Sequence, residues 1–325
     1  MTEKYTVGVD LGATNVRVGI SDEGNHILKK VIEKTERQHG AEGISTQIIR
    51  LIRYLTKDCR SKIQHIGVGS IGPLNLEEGT ILYTPNLPFN IIPLVEPLRN
   101  EFHIPVSLLN DCNAAVIGEK EFGVGRGIDN LVYITLSTGI GGGVYVDGHL
   151  LLGKDGNASE IGHMVIDFTG QLRCGCGKKG HWEAYCSAKN IPNYVKVFLQ
   201  KKRRENHPMM KRTGNNFSNI TAKILYDAAS NNDDLALEIV NSIGELNAMG
   251  FSNVINAYDP SVIAIGGALS LQHEELIIKP IRKYVGDYAI NRVPEIMITP
   301  LREDAVLLGA IVAASKHICS SDRDD

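Results

Sequence analysis

Between Glu160 and Glu183 the chain reads E-I-G-H-M-V-I-D-F-T-G-Q-L-R-C-G-C-G-K-K-G-H-W-E, its densest collection of reactive side chains. Two carboxylates, Glu160 and Glu183, bracket His163, Cys174, Cys176 and His181. Two thiols separated by one glycine, with a histidine five residues on, offer three ligands of a four-coordinate zinc from one tight loop, and His163 can supply the fourth. Glycines 175, 177 and 180 give the backbone freedom to fold such ligands around an ion. The bland alternative is a pair of reduced loop thiols beside an ordinary histidine. Thioredoxin-type redox chemistry wants two residues between the cysteines and a strand-to-helix setting, and neither is present. A zinc held here is structural.

Two further segments share a second chemistry. Y-T-V-G-V-D-L-G-A-T-N-V-R-V-G-I-S-D-E-G-N-H-I reads as strand, glycine turn, strand, turn and strand, with hairpin chemistry at Asp22 to Asn25. A turn carrying Gly12, Thr14 and Asn15 can expose backbone N–H groups and a hydroxyl to a phosphate, and Asp10 at the end of the first strand can sit near a phosphate-bound magnesium, through water. Hairpins need glycine for their own reasons, so one such turn is weak evidence. Residues Asn130 to His149 repeat the design, with Thr138, Gly139 and Gly141 in the turn that runs to Gly143. Two copies in separate halves predict an internally duplicated fold in which Gly12 to Asn15 and Thr138 to Gly143 face each other across a cleft and clamp a nucleotide polyphosphate. No G-x-x-x-x-G-K-[ST] occurs, and these turns open onto strands rather than onto the helix of a dinucleotide fingerprint.

The remaining elements must position these groups. Apolar spacing predicts a helix over Gly43 to Lys57 and a buried strand from His65 to Ile71, after which Gly72 lets backbone approach a ligand closely. Y-T-P-N-L-P-F-N is too rich in proline for a helix and reads as an irregular loop at the cleft. A short strand then ends at Asn110 and Asp111, followed by a helix from about Asn113 to Phe122, closed by Gly123. Asp111 thus stands where a strand meets a helix, a place that suits either a catalytic carboxylate or a helix N-cap. Glu183 to Val197 reads as one helix leading into the basic run K-K-R-R-E-N-H-P, which lacks interleaved aromatics and reads as a solvated helix end. Asn206 to Thr221 is polar and is expected to be the most mobile loop. Helices at Ala222 to Ser230 and Asp233 to Ile255, a buried strand ending in Gly266 and Gly267, a strand at Ile296 to Thr299 and a helix at Ala305 to Ser315 complete the chain.

Composition sets the frame. With 325 residues, 43% of them hydrophobic, the chain can build two domains with real cores. A formal net charge of -3 gives no reason to expect nucleic acid or a membrane surface as partner. The polar Met1 to Lys4 leads straight into a strand, so no secretory h-region is expected, and no apolar run reaches the ~20 residues of a spanning helix. Six cysteines, three of them clustered in metal-like spacing, fit a reducing compartment, hence the cytoplasm.

E-I-G-H-M-V followed by C-G-C-G-x-x-G-x-x-E-A-Y resembles the signature of the ROK family of sugar kinases and sugar-responsive repressors, and the similarity, most specific at 108 to 114, 135 to 143 and 160 to 186, runs through almost the whole chain. The resemblance implies an α/β, two-lobed actin-like (ribonuclease-H-like) fold with an interdomain cleft. Residues 1–114 plus about 303–325 would form a discontinuous small lobe and about 115–302 the large one. It implies Mg-ATP-dependent phosphorylation of a sugar, with Asp111 as general base, Asn110, Glu160, His163 and Glu183 on the sugar hydroxyls, Gly72 beside them, and Gly266 and Gly267 near the adenosine. Family zinc is bound by the histidine and three cysteines; His181 stands in place of the third, so a Cys2His2 site is expected, with Cys186 as fallback ligand. Glu160 matches glucokinase-type members, which favours the C6 hydroxyl of glucose or a broad hexokinase, with an N-acetylmannosamine or other amino-sugar kinase as the alternative. Repressors of the family carry an N-terminal DNA-binding segment, for which a phosphate loop at residue 10 leaves no room, so a non-catalytic regulator is disfavoured. By analogy the protein is a homodimer or homotetramer.

Overall fold

The computed structural model describes residues 3–84, 87–202 and 219–318. Most of the expected Asn206 to Thr221 loop, the basic run beyond Lys202, and Pro85 and Asn86 of the proline-rich loop lie outside the described residues.

Two five-stranded sheets carry the chain, and they repeat one order. In the first, β1 (Tyr5–Leu11), β2 (Asn15–Ser21) and β3 (Ile27–Lys34) pair antiparallel as a meander, and β4 (Ile63–Ser70) and β8 (Val106–Asn110) add in parallel, giving β3-β2-β1-β4-β8. The second uses β9 (Leu131–Leu136), β10 (Ile140–Val146), β11 (His149–Leu150), β12 (Val262–Gly266) and β13 (Glu295–Ile298) in the order β11-β10-β9-β12-β13, with β12 parallel to both β9 and β13. The duplication read from the two glycine turns is therefore a duplication of sheets. A small antiparallel sheet of β5 (Leu74–Asn75), β6 (Thr80–Leu82) and β7 (Ile91–Pro93) fills the region read only as strand end and loop. These strands are two or three residues long, too short for a period-2 pattern to register.

Contacts divide the chain into two compact units, Met1–Asp129 with Gly143–Ser159 and Glu303–Asp325, and Asn130–Gly142 with Glu160–Arg302. A break at residue 114 would cut the helix Asp111–Phe122, which stays whole in the first unit because it packs along the helix Ala305–Ser315. That second helix is buried nearly all round, as its unbroken apolar run requires, and also lies on β1 and β4. Its backbone approaches so closely that a Cβ on Gly309 would meet Ala114 O at 1.6 Å, and one on Gly67 would meet Ala310 O at 1.9 Å. The helix Gly40–Leu55 turns Ile44, Ile48, Leu51, Ile52 and Leu55 into the same core as Val7, Val9 and Leu11. In the second unit the 25-residue helix Asp234–Tyr258 is the spine; Trp182 meets Phe251 edge to face at 5.5 Å and donates from Nε1 to Asn247 Oδ1 at 2.8 Å.

Three local readings differ from the structure. The helix after β8 begins at Asp111 rather than Asn113, with Asn110 as its N-cap, so the N-cap role considered for Asp111 belongs to its neighbour. Glu183 to Val197 is two helices, Glu183–Cys186 and Ile191–Lys202, because the intervening amides of Ala188 and Lys189 donate to Ser137 O and Thr138 O instead of to their own preceding turn. Helices at Val95–Phe102, Ala268–Gln272 and Glu274–Tyr284 are additional to the elements read from the sequence.

Candidate functional site

In the first unit the parallel register brings three chain segments to one edge of the sheet. Leu11 pairs with Ser70 and Ser70 with Asn110, so β1, β4 and β8 end level and deliver the Gly12 turn, Gly72 and the Asn110–Asp111 pair side by side. The ends of parallel strands are where α/β sheets collect ligands, since the chain must leave the sheet there. Asn110 Oδ1 and Asp111 Oδ1 both accept from Cys112 N, at 2.9 and 2.8 Å, which fixes both side chains at the helix start. Gly72, joined to Pro73 by a cis peptide, would place a Cβ 3.4 Å from Asn110 Nδ2.

Asp10 lies at the end of β1, buried, with Arg17 Nη1 donating to Oδ2 at 2.8 Å. Burial pushes its carboxyl up to about 6; Arg17 pulls the other way and Asp304 adds to the rise. Arg17 was not singled out in the sequence, although hairpin register alone pairs it with Asp10. Within the turn the Gly12 amide is spent on Asn15 O at 3.0 Å, so the donors open to an anion are the amides of Ala13 and Thr14, which make no hydrogen bond among the described residues.

The second unit holds its groups on equivalent ends. Gly266 pairs with Thr135 on β9, and a Cβ on Gly267, whose φ is +96°, would lie 2.5 Å from Leu136 O. The Gly266–Gly267 turn therefore flanks the Ser137–Gly139 loop. Glu183 Oε2 accepts the Ile140 amide at 3.0 Å, while its Oε1 accepts from Cys174 Sγ at 3.3 Å, so this carboxylate ties the glycine loop to the cysteine loop.

His163, Cys174, Cys176 and His181 converge, their ligand atoms all within 4.8 Å of one another. His163 Nδ1 is 3.2 Å from His181 Nδ1 and 3.7 Å from Cys174 Sγ, and Cys176 Sγ is 3.4 Å from His181 Nδ1. Tetrahedral zinc with bonds of about 2.0 to 2.3 Å separates neighbouring ligand atoms by about 3.3 to 3.8 Å, so the donor set fits the ion in type and in spacing. His163 turns its other nitrogen toward Glu160 Oε2 at 3.7 Å. Burial, then His163, holds His181 below the usual imidazole range, in the neutral form a metal needs; burial likewise pushes the Cys174 thiol up to about 12. Glu160 is raised by burial, with His163 opposing and the Glu183 charge adding.

Cys186, the fallback ligand, is not part of this group. It is buried against helix Asp234–Tyr258 with Sγ 3.7 Å from Ile243 O, since the short helix Glu183–Cys186 turns it into the core. Asp167 and Tyr185, missed in the sequence, organise the loop from outside the ligand set. Asp167 accepts from Thr169 N, Thr169 Oγ1, Gln171 N and Tyr185 OH, and Tyr185 OH in turn accepts from Leu172 N. Burial would raise the Asp167 carboxyl, but the bonds from Thr169, Tyr185 and Gln171 outweigh it and bring it to about 2.

Known proteins are similar to this chain over nearly its whole length. The ROK family profile matches residues 6–317. A glucokinase of Thermotoga maritima is 35% identical over 322 residues, covering 98% of this chain and 99% of its own length. A glucokinase of Aeropyrum pernix is 38% identical over 291 residues, with 87% and 88% covered. The crystal structure of a ROK family glucokinase from Streptomyces griseus, in complex with glucose and AMPPNP, superposes with a TM-score of 0.80 at 30% identity, covering 96% of this chain and 99% of the other.

Proposed function

The chain belongs to the ROK family, and we propose that within it this protein is an ATP-dependent sugar kinase that phosphorylates glucose at its C6 hydroxyl. One observation carries the chemistry: β8 ends so that Asn110 caps, and Asp111 opens, a helix beside Gly72, in a chain whose similarity to glucokinases is end to end.

A sugar hydroxyl is a poor nucleophile until its proton has an acceptor, and Asp111 is that acceptor as phosphoryl transfer proceeds. Asn110, Glu160, His163 and Glu183 orient the remaining hydroxyls, with Gly72 leaving room for the ring. The amides of the Gly12–Asn15 and Thr138–Gly141 turns hold the phosphates, and Gly266 and Gly267 border the nucleoside. Magnesium bound with the nucleotide supplies charge neutralisation on the phosphates, and Asp10 is the carboxylate that would hold it, through water. Zinc on His163, Cys174, Cys176 and His181 would supply structural support. These four side chains keep His163 and the Glu183 segment in register. Among the described residues no helix is long and apolar enough to cross a membrane, and the reading extends to a homodimer or homotetramer of the cytoplasm.

Glucose leads over amino sugars because glucokinases match the chain from end to end. A coupled ADP-release assay with Mg-ATP against glucose, mannose, glucosamine, N-acetylglucosamine and N-acetylmannosamine tests this by comparing kcat/KM. Glucose is expected to lead. Turnover of N-acetylmannosamine alone would overturn the substrate, and turnover of none would overturn the kinase.

A further inference from the structure

Both glycine turns have their carbonyls taken by a neighbouring segment that belongs to neither motif. In the first unit Thr35 Oγ1 donates to Gly12 O at 2.7 Å, Arg37 Nη2 donates to Ala13 O at 2.6 Å, and Thr35 N donates to Thr14 O at 3.0 Å. In the second, Ala188 N donates to Ser137 O at 2.9 Å and Lys189 N to Thr138 O at 3.3 Å. A trans peptide is planar, with its N–H opposite its C=O. Holding the carbonyls of residues 12 and 13 toward Thr35 and Arg37 therefore turns the amides of Ala13 and Thr14 the other way. The same geometry turns the amides of Thr138 and Gly139 away from residues 188 and 189. Among the described residues those four amides make no hydrogen bond. Successive N–H groups presented together form an anion-binding nest, whereas a carbonyl presented in their place would repel a phosphate.

We propose that Thr35 and Arg37 are positioning residues for the nucleotide phosphates, orienting the Ala13 and Thr14 amides of the first turn, with the backbone of Ala188 and Lys189 doing the same for the second. The inference rests on the kinase reading above and adds to it the residues that aim the turns. Arg37 contributes twice. Its bond to Ala13 O is charge-assisted, which fixes the peptide more firmly than a neutral donor and polarises it, strengthening the N–H on the far side. Its positive charge also stands one peptide away from where the phosphates would lie. Glu36, the nearest carboxylate in sequence, is engaged by the backbone amides of Arg37 and Gln38 and by His39.

The test compares wild type with Arg37→Ala, Arg37→Lys and Thr35→Val. KM for ATP and for glucose are measured, together with calorimetric affinities for ADP and adenosine. In Arg37→Ala, KM for ATP and Kd for ADP should rise about tenfold, the scale of one charge-assisted hydrogen bond, while KM for glucose and Kd for adenosine stay within twofold. Arg37→Lys, which keeps the charge and a donor, should recover most of the loss, and Thr35→Val should show a smaller effect of the same selectivity. Unchanged ATP and ADP values in both Arg37→Ala and Thr35→Val overturn the inference while leaving the kinase intact, as does a loss shared equally by ADP and adenosine. A wild-type protein that neither turns over ATP nor binds ADP would instead overturn the kinase reading on which it stands.

Discussion

Replacing Gly309 with alanine should destabilise the protein even though alanine is the better helix former. In an exposed helix the change would gain about 1 kcal/mol. Here the added Cβ would lie 1.6 Å from Ala114 O, 2.4 Å from Ala114 C and 2.9 Å from Gly118 N. Non-bonded carbon contacts settle near 3.5 Å, so the helix Ala305–Ser315 must retreat from the helix Asp111–Phe122 by roughly 1.5 to 2 Å at this point. Every obstructing atom is main chain, so no rotamer change relieves the overlap, and the cost falls at or beyond the upper end of the roughly 1 to 3 kcal/mol of ordinary overpacking. The net loss is at least about 2 kcal/mol, a fall in Tm of about 4 to 8 °C for a unit of this size. Because the retreating contact sits under the helix that begins with Asp111, turnover should fall as well, by as much as about 100-fold for a displacement near 1 Å. Thermal melts followed by circular dichroism and the ADP-release assay measure both. Gly286→Ala is the control, since nothing lies within 4 Å of its Cβ position. A Gly309→Ala protein as stable as wild type would refute the packing argument.

Other perturbations reach the site directly. Asp111→Ala should lower turnover at least ~100-fold with glucose affinity within a few-fold, as for a lost general base; near-normal kcat would remove the mechanism. Asp10→Asn reads burial through pH. The folded carboxyl stands near 6 against an ordinary 3.8, so its contribution is fully present below about pH 4 and is lost as pH rises to about 6. Urea titrations should show the stability of Asp10→Asn relative to wild type increasing by about 2 to 3 kcal/mol between pH 4 and pH 7, and a gap independent of pH would contradict the shift. Elemental analysis should find about one zinc per chain, none in a Cys174→Ser, Cys176→Ser double variant, and reduced retention in Asp167→Ala, which alters no ligand but removes the acceptor holding the loop. Full zinc occupancy in the double variant would place the metal elsewhere.

How much of this was legible follows from how local each cause is. The hairpins could be read because alternating apolar residues and glycine turns act over a few residues, and the helix Ala305–Ser315 because an apolar run of that length has one stable outcome in a buried setting. Asn110 and Asp111 could be placed at a strand end for the same reason. The grouping of His163, Cys174, Cys176 and His181 was legible from type and spacing, three of them lying within eight residues. The misreadings share the opposite property. Residues 187 to 190 look helical in isolation, and the helix breaks because two amides find carbonyls some 50 residues earlier. Cys186 is a plausible ligand by spacing and is removed by the side of a four-residue helix on which it falls.

By itself, then, the sequence determined the types of the reacting groups, the turns that carry them and the duplication of the sheet, all written in short-range patterns. Only the tertiary structure decided which groups lie together. The level ends of β1, β4 and β8 set Gly72 beside Asn110, Glu183 reaches the Ile140 amide across 43 residues, and Arg37 reaches Ala13 O across 24. The physical reason is that a hydrogen bond depends on distance and direction in space, and a folded chain brings to 3 Å residues whose separation in sequence carries no signal of it.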